Sequence, residues 1–389
     1  MDTSEKNTVL ITCSPHLVEY LKAELQTLGF TPLSWHKAGV EISASIDDTM
    51  LLNLSLRTAY NVLYLLKAFT CTDPERLYQQ TLSIAWEDII SPEEYFTVIS
   101  RVENPTINNT MYPNLKVKDA IVDRIAAKTG LRPTSGNERE NAVVNLYWKD
   151  NRCWLYLNTS GVKLSDRSYR KMPHKAPMRE SLAAAVISET GYDGTVPLVN
   201  PMCGSGTLAI EAALIATQRP PGLLRTNFAF MHLKTFDAKK LKDLRIQLKK
   251  QTSKTMPAPI IATDIDPAAV DAARKNALTA GVDHLIEFSV CDFADTPIPS
   301  GDGIIILNPE YGLRLGEVRE LEVTYKRIGD FFKQKCAGYT GFIFTGNLDL
   351  AKKIGLKTSR KIPFFNADIE CRLIEYKLYQ GSKKNKNTP

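Results

Sequence analysis

Hydrophobic positions switch between two spacings along the chain, and the switches mark out regions. Val9-Leu10-Ile11-Thr12 reads as a short β-branched strand. Leu17, Tyr20, Leu21, Leu25 and Leu28 then recur every three or four residues, as one face of a helix does. Ser14-Pro15 opens that helix and Gly29 is placed to close it. Val40-Glu41-Ile42-Ser43-Ala44 alternates like a strand, and Asp47-Asp48 is expected to cap a second helix through Tyr60. Strand, helix, strand, helix over residues 1–65 is ferredoxin-like arithmetic. Residues 66–165 predict a second α/β unit. It has a strand at Tyr95–Ile99, a helix over Lys118–Ile125 ending at Gly130, and a hairpin of Ala142–Trp148 with Cys153–Leu157.

The largest region, 181–381, alternates strand and helix. A helix over Pro177–Glu189 leads into it. Its strands are Val196–Val199, Ile260–Thr263, Ile286–Val290, Gly303–Leu307 and Phe342–Thr345. Between them fall helices at Thr207–Thr217, Pro267–Ala280 and Glu317–Lys335. Strands that are apolar throughout belong to a parallel sheet covered on both faces, so the fold class is α/β and Rossmann-like. Ligands of such sheets bind outside the carboxyl ends of the strands.

Composition narrows the class. The 389 residues are 43% hydrophobic and 24% charged, which excludes a disordered or collagenous chain and suggests more than one domain. No apolar run approaches the ~20 residues of a membrane helix, so no membrane partner is expected. The polar Met1–Thr8 stretch leads into no long apolar run, which argues against a secretory signal. Seven scattered cysteines form no C-x-x-C pair, so no metal and no disulfide framework are expected, and a cytoplasmic location is. The net charge of +6 is compatible with a polyanion partner. Cations concentrate over residues 163–179, across the linker expected at 166–180, where Lys163, Arg167, Arg170, Lys171, Lys175 and Arg179 face a single acid, Asp166. This linker reads either as a solvated strap or as a surface that tracks phosphates. The tail at 382–389 is basic and expected to be flexible.

The residues after each strand carry the chemistry. Asn200-Pro201-Met202-Cys203-Gly204-Ser205-Gly206-Thr207 combines a tight glycine turn with a helix N-terminus, which favours a carboxylate-bearing ligand. It lacks the third glycine of a dinucleotide fingerprint, with Ala209 in that place. Asp264-Ile265-Asp266-Pro267 offers an acid to a ribose from Asp264, while Asp266 caps the helix. Asp292 is placed to accept from an adenine amine, with Phe293 or Ile265 packing on the ring. Asn308-Pro309-Glu310-Tyr311 is the most specific segment. The Asn308 side-chain oxygen and the Pro309 carbonyl can hold both hydrogens of a planar exocyclic amine. Tyr311 supplies a face for base stacking.

In these motifs the chain resembles the THUMP-containing RNA guanine-N2 methyltransferases. Asn158-Thr159-Ser160-Gly161 stands where that family has Asp-Thr-Ser-Gly, and Asn200–Thr207 resembles its Asp-Pro-x-Cys-Gly-Ser-Gly-Thr. Arg167-Ser168-Tyr169-Arg170-Lys171, Ala176–Ala185, and Arg219-Pro220-Pro221-Gly222 with Phe228-Ala229-Phe230 resemble further family segments. The resemblance implies a ferredoxin-like domain at 1–65, a THUMP RNA-binding domain at 66–165, and a class I methyltransferase domain at 181–381. It implies S-adenosylmethionine as cofactor, held by Asn200, Pro201, Cys203, Gly204, Gly206, Thr207, Asp264, Ile265, Asp292 and Phe293. Catalysis then falls to Asn308, Pro309, Glu310 and Tyr311, and RNA binding to Lys163, Arg167, Arg170, Lys171 and Lys175. The implied substrate is a guanine amine in RNA, with ribosomal RNA ahead of tRNA. Two departures stand out: Asn200 replaces a usual Asp, and Glu310 a usual second Pro. A non-catalytic RNA-binding or ribosome-assembly factor, an adenine or glutamine-amide acceptor, and a nicotinamide-dependent dehydrogenase are the competing expectations. The last lacks the His–Asp or Tyr–Lys arrangement it would need.

Overall fold

The computed structural model describes residues 2–104, 111–172, 178–312 and 315–379. They form two units, one of residues 1–14, 18–165 and 220–249, the other of 15–17, 166–219 and 250–389. The first unit contains β1 (Asn7–Cys13), α1 (Val18–Thr27), β2 (Pro32–His36), β3 (Gly39–Ala44), α2 (Ile46–Ser55) and β4 (Ala59–Thr70). It continues through α3 (Pro74–Leu82), β5 (Phe96–Glu103), α4 (Met111–Thr129), β6 (Ser135–Gly136), β7 (Ala142–Lys149) and β8 (Arg152–Asn158). The second unit begins with α5 (Glu180–Glu189), β9 (Leu198–Pro201) and α6 (Thr207–Ala216). The chain then returns to the first unit for residues 220–249, where α7 (Ala238–Gln251) starts. The second unit resumes with β10 (Ile260–Asp264), α8 (Pro267–Ala280), β11 (Ile286–Val290), β12 (Ile304–Leu307) and α9 (Leu315–Lys335). It ends with β13 (Thr340–Thr345), α10 (Leu348–Lys352), β14 (Arg360–Asn366) and β15 (Ile369–Lys377).

The two α/β regions expected at 1–65 and 66–165 share one eight-stranded sheet, in the order β2-β3-β1-β4-β8-β7-β5-β6. The join is β4. Its first half pairs with β1 (Val9 opposite Tyr64, Cys13 opposite Ala59), and its second half pairs with β8 (Leu63 opposite Asn158, Thr70 opposite Arg152). The helix expected to reach Tyr60 stops at Ser55. Its cap is Ser45, whose hydroxyl accepts from the Asp48 amide while the Asp48 carboxylate accepts from the Ser45 amide. The Ala59–Thr70 run is apolar at nearly every position, and such a run does not distinguish strand from helix. The hairpin is as expected, with Asp150 at φ 50° in its turn.

Asn158–Gly161 is a buried corner. The Asn158 oxygen accepts from the Ser160 and Gly161 amides, both at 3.0 Å, and Ser160 Oγ donates to Asn53 Oδ1 at 2.6 Å. The 220–249 segment packs here too. The Phe230 amide donates to the Thr159 carbonyl, and Arg225 reaches the carbonyls of Val162 and Lys163 at 3.1 Å. The sequence boundaries placed 220–249 with the methyltransferase region; the fold places it with the first unit. The stretch expected to be a linker, from Asp166, belongs to the second unit.

The second unit's sheet runs β11-β10-β9-β12-β13-β15-β14. Its first five strands are parallel, and the closing β14–β15 hairpin, absent from the sequence reading, is antiparallel. Leu198 of β9 lies opposite both Ile260 of β10 and Ile304 of β12, so these three strands end at one edge. Ile305, Leu307, Tyr325, Ile328, Phe332 and Ile343 are fully buried in the core beneath α9. Among the described residues, no helix is long and apolar enough to cross a membrane.

Candidate active site

The loop after β9 is forced into an unusual backbone. Met202, Gly204 and Gly206 all take positive φ, at 56°, 54° and 83°. The glycines serve different ends. A Cβ on Gly206 would come within 2.9 Å of Ala273 Cβ, so this glycine lets α6 approach α8. A Cβ on Gly204 would meet nothing within 4 Å, so this glycine opens space for a ligand.

The sequence pattern leaves Asp264, at the end of β10, free for a ribose. Instead it also braces the loop: Oδ2 accepts from the Gly204 amide at 2.9 Å and Oδ1 from the Asp266 amide at 3.0 Å. Each carboxylate oxygen keeps a second lone pair for an incoming hydroxyl. Asp266 caps α8 through the Ala268 amide, as expected. Ile265 is 68% exposed, which suits a ring-packing residue. Phe293 does not suit that role. It is 5% exposed and packs edge-on against Phe331 in the core. Asp292 accepts through Oδ1 from the Ala294 amide (2.9 Å) and from Arg327 (2.8 Å). Burial alone would raise its pKa, but the Ala294 amide and Arg327 outweigh it and hold the carboxyl below its usual range.

Asn200 is fully buried, and its Nδ2 donates to the Ile306 carbonyl at 2.9 Å. Its Oδ1 has no hydrogen-bond partner among the described residues. An aspartate could not make the Ile306 contact, because two acceptors would then face each other. An orphaned buried acceptor costs about 1–3 kcal/mol, so this atom calls for a donor. Pro201 is buried in the strand end. Cys203 ties the loop to β10 through its amide and the Thr263 carbonyl, and burial pushes its thiol up. Thr207 does not point at a ligand; its hydroxyl accepts from Arg170 at 3.0 Å.

That contact corrects the linker. Arg167 is 1% exposed and pairs with buried Glu211 at 3.4 Å. Arg170 holds Glu180, the Ser205 and Thr207 hydroxyls and the Met178 carbonyl at 2.9–3.0 Å. Both guanidiniums are spent inside the second unit and present no face to a phosphate. Lys163 and Lys171 remain exposed, while Lys175 lies outside the described residues.

On the acceptor side, the Tyr311 hydroxyl donates to Asn308 Oδ1 at 2.8 Å. Pro309 is buried and Glu310 exposed. The loop's backbone is held by residues the sequence reading missed. Tyr325 donates to the Glu310 carbonyl at 3.1 Å, and Asn347 Nδ2 donates to the Tyr311 carbonyl at 3.1 Å. Burial pushes the Tyr325 phenol up to about 12. Asn347 follows β13, so the strand-end rule could have found it. Tyr325 lies inside α9 and gives no local signal. Among the described residues, no group of three His, Cys, Asp or Glu could hold a metal ion.

The chain is similar to known proteins in sequence and in fold. The RMKL-like methyltransferase domain matches residues 167–375, the THUMP domain 71–158 and the RlmL ferredoxin-like domain 8–63. The Synechocystis protein slr0064, named as a candidate RNA methyltransferase, is 34% identical over 92% of this chain and 93% of its own. The ribosomal RNA large subunit methyltransferase K/L of Shewanella frigidimarina is 32% identical over 95% of this chain and 53% of its own. The chain thus spans about half the length of that relative. The structure of SMU.472, a candidate methyltransferase complexed with S-adenosylhomocysteine, superposes with a TM-score of 0.87 at 25% identity, covering 99% of this chain and 100% of that one. With the methyltransferase domain matching more than half of its residues, the chain belongs to the RMKL-like methyltransferase family.

Proposed function

We propose that this chain transfers a methyl group from S-adenosylmethionine to the N2 amine of a guanine in structured RNA. Ribosomal RNA of the large subunit is the preferred substrate, ahead of tRNA, and the cytoplasm the site of action. The observation that carries this is one sheet edge bearing the open Gly204 turn, the Asp264 carboxylate and the Asn308–Pro309 acceptors. The cofactor suits the residues present. Gly204 leaves room, Asp264 has lone pairs for ribose hydroxyls, Ile265 offers an exposed apolar face, and the Asn200 oxygen lacks a donor. When bound, the cofactor supplies an electrophilic methyl group on a sulfonium.

The chain's own residues position the amine. Asn308 Oδ1 and the Pro309 carbonyl accept its two hydrogens, which directs the nitrogen lone pair along the line of attack. The amine must first replace the Tyr311 hydroxyl on Asn308. The Tyr311 ring then offers its face to the base. A methylated amine is acidic and loses its proton to water, so no dedicated base is required. A guanine in helical RNA has to leave its stack to reach this edge.

Nucleoside mass spectrometry of ribosomal RNA and tRNA from cells with and without the gene tests the proposal. The expected result is loss of an N2-methylguanine from large-subunit RNA. Loss from tRNA alone reassigns the substrate, and no loss from either overturns the activity. The departures at Asn200 and Glu310 favour one second reading, a non-catalytic RNA-binding factor. Calorimetric titration with S-adenosylhomocysteine separates the two, since that factor would bind none.

A further inference from the structure

We infer that the open end of the first unit's sheet, centred on Trp154 and Tyr147, is a stacking platform for single-stranded RNA. The inference rests on RNA being the substrate and says where part of it binds. Strand register puts Ala68, Trp154, Tyr147 and Arg101 directly opposite one another across β4, β8, β7 and β5. Directly opposite residues share a face. Thr70, Arg152, Lys149 and Glu103 form the next row of that face. The reverse face carries Cys153, Leu155, Trp148 and Leu146, all buried.

Among the described residues the near face is not covered in this way, and Trp154 and Tyr147 on it are half-buried. Ala68, Thr70, Lys149 and Arg152 are exposed, and the Arg101 side chain is 78% exposed. Large aromatics on such a surface call for a partner with flat rings of its own. Trp154 and Tyr147 stack with ring centroids 5.5 Å apart and planes 24° from parallel. The Arg152 guanidinium lies over the Trp154 ring at 5.4 Å. The Tyr147 hydroxyl donates to Glu103 at 3.1 Å, and Arg101 pairs with the same carboxylate at 2.6 Å. The aromatic pair is therefore held from both ends, so little side-chain freedom is lost when a base lands on it.

Charge selects the occupant. Arg101, Lys149 and Arg152 stand against Glu103, which Arg101 already neutralises, and Asp150 at the hairpin tip. Cations around exposed rings suit bases with phosphates between them. The core of a protein interface is depleted of charge, which this face is not.

The test titrates the full chain with a short, unstructured, fluorescein-labelled RNA, and separately with S-adenosylhomocysteine. Trp154→Ala is expected to weaken RNA binding by about five- to a hundredfold, the range for loss of one stacked base, while Trp154→Phe retains most of it. Arg152 is exposed and its packing is limited to the Trp154 ring, so Arg152→Glu tests the face even where Trp154→Ala disturbs folding. It should weaken binding and flatten the salt dependence. A 4-thiouridine crosslink should map to β7 or β8. S-adenosylhomocysteine affinity should not change. RNA affinities within twofold of wild type for both Trp154→Ala and Arg152→Glu would overturn the platform while leaving the methyltransferase proposal standing. So would variants that change only self-association, which would mark a protein interface. A wild-type chain that binds cofactor but no RNA would remove the platform and the RNA substrate together.

Discussion

The loops on the cofactor side and the loop on the acceptor side leave the same sheet edge but are held in opposite ways. On the cofactor side, a proposed ligand side chain is itself a brace, and neighbouring side chains pin the rest of the loop. Asp264 takes two amides, Arg170 takes two hydroxyls of the glycine loop, and Asn276 Nδ2 donates to the Ser205 carbonyl at 3.2 Å. On the acceptor side, the backbone is clamped by Tyr325 and Asn347, while the functional atom, Asn308 Oδ1, is engaged by the neighbouring Tyr311. The first half is assembled before a ligand arrives. In the proposed reaction the second half must exchange one hydrogen bond for another when the amine enters. Substitutions in the first half should therefore act on affinity, and substitutions in the second on turnover.

The strongest way to break this contrast is Asn308→Ala. It should lower the single-turnover rate by roughly three orders of magnitude or more, about 4 kcal/mol at the barrier, with S-adenosylhomocysteine affinity nearly unchanged. A parallel loss of cofactor affinity would show the halves to be one unit. Asp264→Ala should do the reverse. Losing hydrogen bonds to ribose and the brace on Gly204 should weaken cofactor binding by about 1–3 kcal/mol in calorimetry. Unchanged affinity would remove Asp264 from the site.

The same contrast explains what could be read from the sequence. Each polar cluster was visible, because a strand end in a parallel sheet has one place to put its loop. What each side chain does there was less visible. In the sequence Asp264, Asp292 and Thr207 look like ligands, yet each holds its own structure, because a short loop needs its amides and hydroxyls satisfied before it can serve a ligand. Arg167 and Arg170 read like phosphate contacts because sequence shows charge but not the distant acids that neutralise it. Glu211 lies 44 positions from Arg167. Similarly, β4 crosses a boundary drawn at residue 65 because its two halves answer to partners far apart in the chain.

Tyr325→Phe sharpens the contrast at smaller scale. It removes the donor to the Glu310 carbonyl, a neutral hydrogen bond worth about 1 kcal/mol. The single-turnover rate should fall by about fivefold, with cofactor affinity unchanged. Because burial lifts the phenol to about 12, it stays protonated, and remains a donor, through neutral and mildly alkaline assays. The deficit should therefore be the same at every pH below about 10. A deficit that grows or vanishes between pH 6 and 9 would mean that another titrating group governs the loop.

Glu310 should have the smallest effect, although it stands beside the proposed reacting centre. It is exposed, and the loop contact that a second proline would stiffen is already made through its backbone carbonyl. In the proposed reaction the amine's two acceptors lie on Asn308 and Pro309, so neither is lost when the side chain at 310 changes. Glu310→Gln should stay close to wild type in single-turnover rate. Glu310→Pro should match or exceed it, because proline fixes φ and stiffens the loop. The opposite outcome has a distinct signature. If Glu310→Gln costs roughly two orders of magnitude, about 3 kcal/mol at the barrier, and flattens the pH–rate profile, the carboxylate is taking the departing proton. The acceptor side would then carry chemistry as well as geometry, and the family's usual proline and this chain's glutamate would mark two different routes for the proton. Rates with saturating cofactor, measured across pH on one RNA for wild type, Glu310→Gln and Glu310→Pro, decide between them.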